Sequence, residues 1–330
     1  MLFSFVLPAY KAKYLASSIE SILSQTYKEF ELIIVNDASP ENLDCIVNKF
    51  NDSRIKYYKN SKNIGGKDLV KQWNHCISYA IGDFIILASD DDLYTSNFLS
   101  TFEPLINLYP EVNLFRGRSL SIDGENNICE TDNYFKEYIN PNEFRYLWFK
   151  GIKGGIANYI FKRKELQSIG GFVNFPLAWG SDDATVLLMA NKGIVTSNDY
   201  LFSFRYSGIN ISCQRNNEFL IQKLKARIEL CYWKKQFLKI DSNSRLDDYY
   251  QEKILVMHEA YNFSTPYNLV MSMKFQAFLK SINIILSFNL LTKKQKYKIL
   301  IDKIRLIIIA PFAHTLTQLK SLLFKSIGIK

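Results

Sequence analysis

The chain has 330 residues, 48% of them hydrophobic and 22% charged, which excludes a disordered protein and suits one large domain or one domain with an appendage. Lys and Arg outnumber Asp and Glu by 41 to 32, a formal charge of +9 that suits nucleic acid, anionic lipid or a phosphorylated substrate without choosing among them. The five cysteines (Cys45, Cys76, Cys129, Cys213, Cys231) are odd in number and widely spaced, and only three histidines occur, so neither a disulfide framework nor a zinc site is expected and a reducing cytosol fits.

Leu2 to Leu7 is a short β-prone run ended by Pro8; with no basic stretch before it and no small-residue cleavage site, it reads as a first strand, not a signal peptide. Tyr14 to Gln25 places Leu15, Ile19, Ile22 and Leu23 on one helical face. Glu31 to Val35 is a second buried strand, Asn42 to Phe50 a short helix and Ile55 to Tyr58 a third strand. Asn60 to Gly66 is a polar, Gly-rich loop leading into a helix over Lys67 to Ala80. Asp83 to Ala88 is a fourth buried strand, followed at once by Ser89, Asp90, Asp91 and Asp92. This alternation predicts a Rossmann-like, mostly parallel central sheet with helices on both faces. Ligands of such sheets bind beyond the carboxyl ends of the strands, which draws Pro8 to Tyr10, Asn36 to Ser39 and Ser89 to Asp92 to one edge.

Further on, Asn97 to Tyr109 reads as a helix, Val112 to Ser119 as a strand and Asp123 to Asn140 as a polar loop. Gly151 to Gly155 is a flexible or ligand-approaching turn, Asn158 to Phe161 a strand and Arg163 to Ile169 a helix closed by Gly170 and Gly171. Asp182 to Lys192 is helical and Leu201 to Tyr206 a strand. From about residue 217 four helical patterns follow, so the division is expected at 1–216 and 217–330. No segment reaches the ~18 uninterrupted apolar residues of a spanning helix.

The run Asp90-Asp91-Asp92 leaves a buried strand at a fixed place. Adjacent carboxylates repel unless a cation compensates, and hard oxygen ligands suit Mg²⁺ or Mn²⁺; alternatively the run is a solvated loop or an acidic helix start. Asp37 either accepts a hydrogen bond from a base or ribose or caps the next helix. Tyr10 can stack on a base or form a wall, and Lys67 and Lys71 near Gly65 and Gly66 can approach a diphosphate, although no P-loop is present. Trp179 to Asp183 precedes a helix, where a carboxylate is either a cap or a base for an acceptor hydroxyl. Gly154 and Gly155 would let an acceptor pass the backbone closely, and Arg205 would meet a phosphate or pair on the surface. From Lys293 on, Lys and Arg interleave with Ile, Leu and Phe, which fits either a basic amphipathic helix on an anionic membrane or a helical cap.

Together these clusters resemble family 2 glycosyltransferases with the glycosyltransferase-A fold, from Leu2 to about Ser212. The stretches SFVLPAYKAKYLASSIESILSQTYKEFELIIVNDAS and NIGGKDLVKQWNHCISYAIGDFIILASDDDLY are similar to that family's opening blocks. The resemblance implies that Pro8 and Tyr10 line a nucleoside pocket and that Asp37 binds the base, with Asn36 standing where the family's V-D-D-x-S turn has its first Asp. It places Asp90 at the ribose or metal, Asp91 at the metal with Asp92 beside it, and Asp183 as catalytic base, with Asp182 in place of the family's Glu. Lys67 or Lys71 would serve the diphosphate, since Trp73 stands where an Arg is common.

The resemblance implies inverting transfer from a nucleotide-sugar, a UDP-sugar foremost, to a glycan or lipid-linked acceptor in the synthesis of capsule, lipopolysaccharide or another surface polymer. It implies a Mn²⁺ or Mg²⁺ cofactor and a place on the cytoplasmic face of the plasma membrane. A nucleotidyltransferase would need a Gly-rich loop with an Arg after the first strand, and a glycoside hydrolase would need no nucleoside pocket. The rival of another class is a non-catalytic nucleotide-sugar-binding or basic interaction protein; nucleic acid is disfavoured because the basic residues follow no recognition element.

Overall fold

The computed structural model describes residues 1–152, 155–206, 208 and 216–308. By their contacts the described residues up to 208 group with 236–255, and 216–235 group with 256–308.

The first unit is built on one sheet with strand order β3-β2-β1-β4-β9-β6-β10-β5. Strands β1 (Phe3–Ala9), β2 (Phe30–Asn36), β3 (Ile55–Lys59) and β4 (Phe84–Leu87) make its parallel half. Every residue of β2 and β4 is buried and so is all of β1 except Pro8, the mark of strands covered on both faces. Pro8, which has no N–H to give, lies beyond the last β1 residue in register with β4, Val6 opposite Leu87. Helices α1 (Leu15–Leu23), α2 (Asp44–Val47) and α3 (Leu69–Ile77) are the crossovers between these strands. The shared core joins Phe3, Phe5, Ile19, Leu32, Ile34 and Ile86.

The other half is mixed. The two-residue strand β5 (Leu93–Tyr94) precedes α4 (Phe98–Leu108), and β6 (Leu114–Ile122) runs parallel to the twelve-residue β10 (Ile194–Arg205). The strand β9 (Tyr159–Lys162) runs antiparallel between β4 and β6, so parallel pairing is confined to β3-β2-β1-β4 and to β6–β10. The segment expected as a polar loop, Asp123 to Asn140, contains β7 (Ile128–Thr131), paired with β6, and β8 (Tyr138–Ile139), paired with β10. All four β7 residues are exposed, so this edge ribbon has no apolar face to betray it in the sequence.

Helix α5 (Pro141–Lys150) also went unread. Asn140 caps it by accepting from the Glu143 N–H, Pro141 opens it and Gly151 closes it in the left-handed region at φ 101°. Helices α6 (Arg163–Ser168) and α7 (Ser181–Met189) complete this part, and the start of α9 (Arg245–Ser272) belongs to the same unit.

The second unit is helical: α8 (Asn217–Lys234), the remainder of α9, α10 (Phe275–Ser287) and a helix over 293–308. Its own core joins Leu224, Cys231, Val270, Phe278, Ile285 and Ile299. Among the described residues no helix is long and apolar enough to cross a membrane.

Candidate active site

The carboxyl ends of β1, β2 and β4 lie side by side, and side-chain bonds sew their polar extensions together. Asp90, just past β4, accepts the N–H groups of Tyr10 (2.9 Å) and Lys11 (2.8 Å) with Oδ2. Ser39, past β2, donates its hydroxyl to the Tyr10 carbonyl (2.6 Å). Tyr10 itself stays exposed, its ring available for stacking on a base.

The acidic turn is nearly dry: Asp90, Asp91 and Asp92 are 6%, 5% and 3% exposed. Burial raises the Asp90 carboxyl above the ordinary range against the opposing pull of Lys11. Burial first and the Asp91 charge second push Asp92 up to about 7. The ammonium of Lys11 lies 3.6 Å from Asp90 Oδ1 and 3.5 Å from Asp91 Oδ2. Burial alone would lower the Lys11 pKa; the two carboxylates outweigh it and raise it.

Asp92 turns into the protein. Its Oδ2 accepts from the Ser89 hydroxyl (2.5 Å), its Oδ1 from the Arg205 N–H (2.8 Å), and its carbonyl from Ser18 (2.8 Å). Arg205 is itself 1% exposed, so it is neither a surface pair nor open to solvent phosphate. Its guanidinium donates to the carbonyls of Asp91 (2.8 Å) and Asp123 (3.0 Å) and lies over the Tyr14 ring at 4.4 Å. The sequence offered no sign of this, because Asp91, Asp92 and Asp123 are more than 80 residues away from Arg205.

Asp37 organises the Gly-rich loop. Oδ1 accepts from Asn60 (2.8 Å) and the Ile64 N–H (2.9 Å), and Oδ2 from the Gly65 N–H (2.7 Å) and Asn63 (3.1 Å). Four bonds use the acceptor capacity of a carboxylate, so a base would meet the loop that Asp37 holds. A Cβ on Gly65 would stand 3.0 Å from Asp37 Oδ2, which is why glycine suits that position. The neighbouring Asn36 donates to Tyr57 (3.0 Å) and accepts the Ser39 N–H (2.9 Å), bracketing Ala38 at φ 49°.

Lys67 and Lys71 are exposed, on either side of Asp68, which caps α3 through the Lys71 N–H. Asn174 donates to Asp68 (3.0 Å), so the chain before α7 closes against this loop. Lys67, Asp68, Asn174, Phe175, Pro176 and Leu177 line an open cleft of about 330 Å³. Leu177 and Ala178 hold φ 58° and 55° and Gly180 97°, a strained run that carries the half-buried Trp179. Non-glycine residues in that region cost on the order of 1–3 kcal/mol each and gather at functional sites.

Asp182 and Asp183, half-buried, occupy the first turn of α7. Asp183 donates its N–H to Asp182 Oδ1 (2.9 Å), and its carbonyl accepts from Trp148 Nε1 (2.8 Å), so α5 fixes this backbone. Gly155 has only ordinary contact distances around a Cβ, 3.6 Å to Phe204 and 3.9 Å to Phe202, so packing does not demand glycine there. Gly154 lies outside the described residues. A pair that the sequence reading overlooked joins buried Arg116 on β6 to half-buried Asp132 just after β7, with the guanidinium over the rings of Phe135 and Tyr159.

Among the described residues no three His, Cys, Asp or Glu side chains converge as a metal cage. Mg²⁺ and Mn²⁺ bind through one or two carboxylates and complete their shell with water and substrate phosphate. Asp91, beside the Lys11 ammonium, fits such a ligand; Asp92, with both oxygens turned to Ser89 and Arg205, does not.

A parallel-cored sheet with an acidic turn beyond its central strands, continued by an antiparallel ribbon, is the glycosyltransferase-A fold. Residues 4–158 match the model of the family described as Glycosyl transferase family 2. It is similar to the putative glycosyltransferase EpsE of Bacillus subtilis, 45% identical over 24% of this chain and 28% of that protein. The chain thus spans well under half of EpsE. It is also 26% identical, over 67% of its length and 84% of the relative, to the UDP-Glc:alpha-D-GlcNAc-diphosphoundecaprenol beta-1,3-glucosyltransferase WfaP of Escherichia coli. The crystal structure of S. aureus TarS 1-349 in complex with UDP-GlcNAc shares the fold at TM-score 0.69 and 18% identity, covering 92% of this chain and 90% of that one.

Proposed function

We propose that the chain is an inverting glycosyltransferase that moves a sugar from a UDP-sugar to a hydroxyl of a glycan or lipid-linked acceptor in surface-polysaccharide synthesis. The observation that carries this reading is the acidic turn at the meeting of β1, β2 and β4, with exposed Tyr10 on one side and the Asp37-held loop on the other. WfaP and the TarS complex, whose descriptions name UDP-sugars, support the choice of donor, and WfaP's also names a diphosphoundecaprenol acceptor.

In this reading Tyr10 stacks on the base and the loop at Asn63 to Gly66 shapes its pocket. Asp91 holds the divalent ion, which when bound offsets the charge growing on the departing diphosphate. Lys67 and Lys71 offer exposed ammonium groups toward the same charge. Asp183, at a helix start beside Trp179, accepts the proton of the attacking acceptor hydroxyl at its carboxylate. The fixed backbone of α7 keeps that carboxylate in one place, the condition for a positioned base.

Isothermal titration of UDP, with GDP and dTDP as comparators, in Mn²⁺ and again in EDTA tests the site. Metal-dependent binding of UDP is expected. No binding of any of the three by folded protein would instead favour a non-catalytic basic interaction protein or a donor outside that set.

The second unit suits a peripheral place on the inner face of a membrane. Its sequence, 215–235 and 256–330, carries 17 Lys and Arg against 4 Asp and Glu, whereas the rest of the chain carries 24 against 28. Along the helix over 293–308, Tyr297, Ile301, Ile304 and Ile308 are exposed at spacings of four, three and four, and Lys294, Lys298 and Arg305 on the same helix are exposed as well. An apolar stripe edged by basic residues is the pattern of a helix lying on anionic lipid. A double change, Ile301→Asp with Ile304→Asp, should lower co-sedimentation with phosphatidylglycerol vesicles several-fold; unchanged sedimentation would remove the membrane contact.

A further inference from the structure

Lys11 has no role in the transfer proposed above. It follows Tyr10 at the end of β1, and its backbone is fixed by its own N–H bond to Asp90. Its ammonium is nearly equidistant from a carboxylate oxygen of Asp90 and one of Asp91, at 3.6 and 3.5 Å. Both distances exceed the 2.7–2.9 Å typical of a single charge-assisted bond, so the ammonium straddles the two carboxylates as a point charge. The lysine side chain is 28% exposed against 7% for each acid, which makes it the member of the trio nearest to solvent. A divalent ion on Asp91 would need the same place and would repel the ammonium at these distances.

We propose that Lys11 is the resident counter-cation of the acidic turn, that it competes with the divalent ion for Asp90 and Asp91, and that the diphosphate of the donor draws it off. Before the donor arrives, the ammonium offsets one unit of the negative charge on two buried carboxylates that otherwise repel each other. When a diphosphate enters with the ion, the ammonium gains a second anionic partner within reach of the same β1 anchor. Ion and nucleotide then bind with positive coupling, because each makes the departure of Lys11 easier for the other. The diphosphate half of this statement rests on the glycosyltransferase reading above; the competition with the ion does not.

The test is Mn²⁺ binding to the whole chain without nucleotide, followed by electron paramagnetic resonance of the free ion, for wild type, Lys11→Met and Lys11→Arg. Both variants keep the backbone N–H to Asp90, and matched thermal melts confirm that they fold. Lys11→Met should bind Mn²⁺ on the order of tenfold more tightly or better, as removal of one like charge at this distance allows. Lys11→Arg should resemble wild type. UDP should tighten Mn²⁺ binding in wild type and do so less in Lys11→Met.

Equal or weaker Mn²⁺ binding by Lys11→Met overturns the competition, as does no Mn²⁺ binding by any of the three proteins. Tighter Mn²⁺ binding by Lys11→Met with no UDP binding to any of them overturns the diphosphate half and the donor reading, and leaves the ion competition standing. Undiminished UDP–Mn²⁺ coupling in Lys11→Met overturns the proposal that the diphosphate draws Lys11 away.

Discussion

The acidic turn Asp90–Asp92 and the acidic pair Asp182–Asp183 use the same side chain in opposite settings. The turn lies almost without solvent at the end of β4, and it is tied down by Tyr10, Lys11, Ser89 and Arg205. The pair sits half-buried at the start of α7, where the N–H groups of the first turn have no acceptor within the helix and favour negative charge. Placing carboxylates in the turn costs free energy, which nearby cations offset, whereas the helix start stabilises its carboxylates through the backbone. Such a turn is built to hold a cation at one point, and such a helix start suits a base that must exchange a proton with an incoming hydroxyl.

The sharpest way to break the comparison is to neutralise one member of each set. Asp183→Asn should lower kcat by about 10²–10⁴-fold, the usual worth of a positioned general base, and leave UDP affinity within about twofold. Asp91→Ala should lose both turnover and the Mn²⁺ dependence of UDP binding, with kcat down about 10²–10³-fold. Parallel loss of UDP binding and turnover in Asp183→Asn would turn that residue into a structural cap. Full activity in Asp91→Ala would take the ion away from the turn.

The two regions were not equally legible. The runs Glu31 to Val35 and Asp83 to Ala88 announce buried parallel strands, and their polar successors, Asn36 to Ser39 and Ser89 to Asp92, mark the site edge through topology alone. The helix start at Asp182 was equally plain. The anchors around the turn were hidden because they act over long separations: Lys11 meets Asp90 across 79 residues, and Arg205 meets Asp92 across 113. Arg205 reads as a surface cation until the fold buries it. The return of 236–255 to the first unit has no compositional sign either. Helix α5, by contrast, carried its signal in Asn140, Pro141, Glu143 and Gly151, and periodicity alone passed over it.

A smaller effect separates the costly carboxylates from the stabilised ones. Asp92 is almost wholly buried, and burial, with Asp91 next, lifts its pKa to about 7, above the value near 3.9 of an unfolded chain. Below about pH 4 both states hold the proton and the group leaves stability unchanged. As pH rises from about 4 to about 7 the unfolded chain releases its proton freely while the folded one must keep it or bury a charge, so folding loses stability across that window. Asp92→Asn removes this loss, and its amide can still accept from the Arg205 N–H and face Ser89. In EDTA, urea midpoints should therefore move in favour of Asp92→Asn as pH is raised from about 4.5 to about 8. A difference from wild type that stays constant over that range would mean that Asp92 meets the pH change already compensated, and the turn would then be no more costly to fold than the helix start at Asp182.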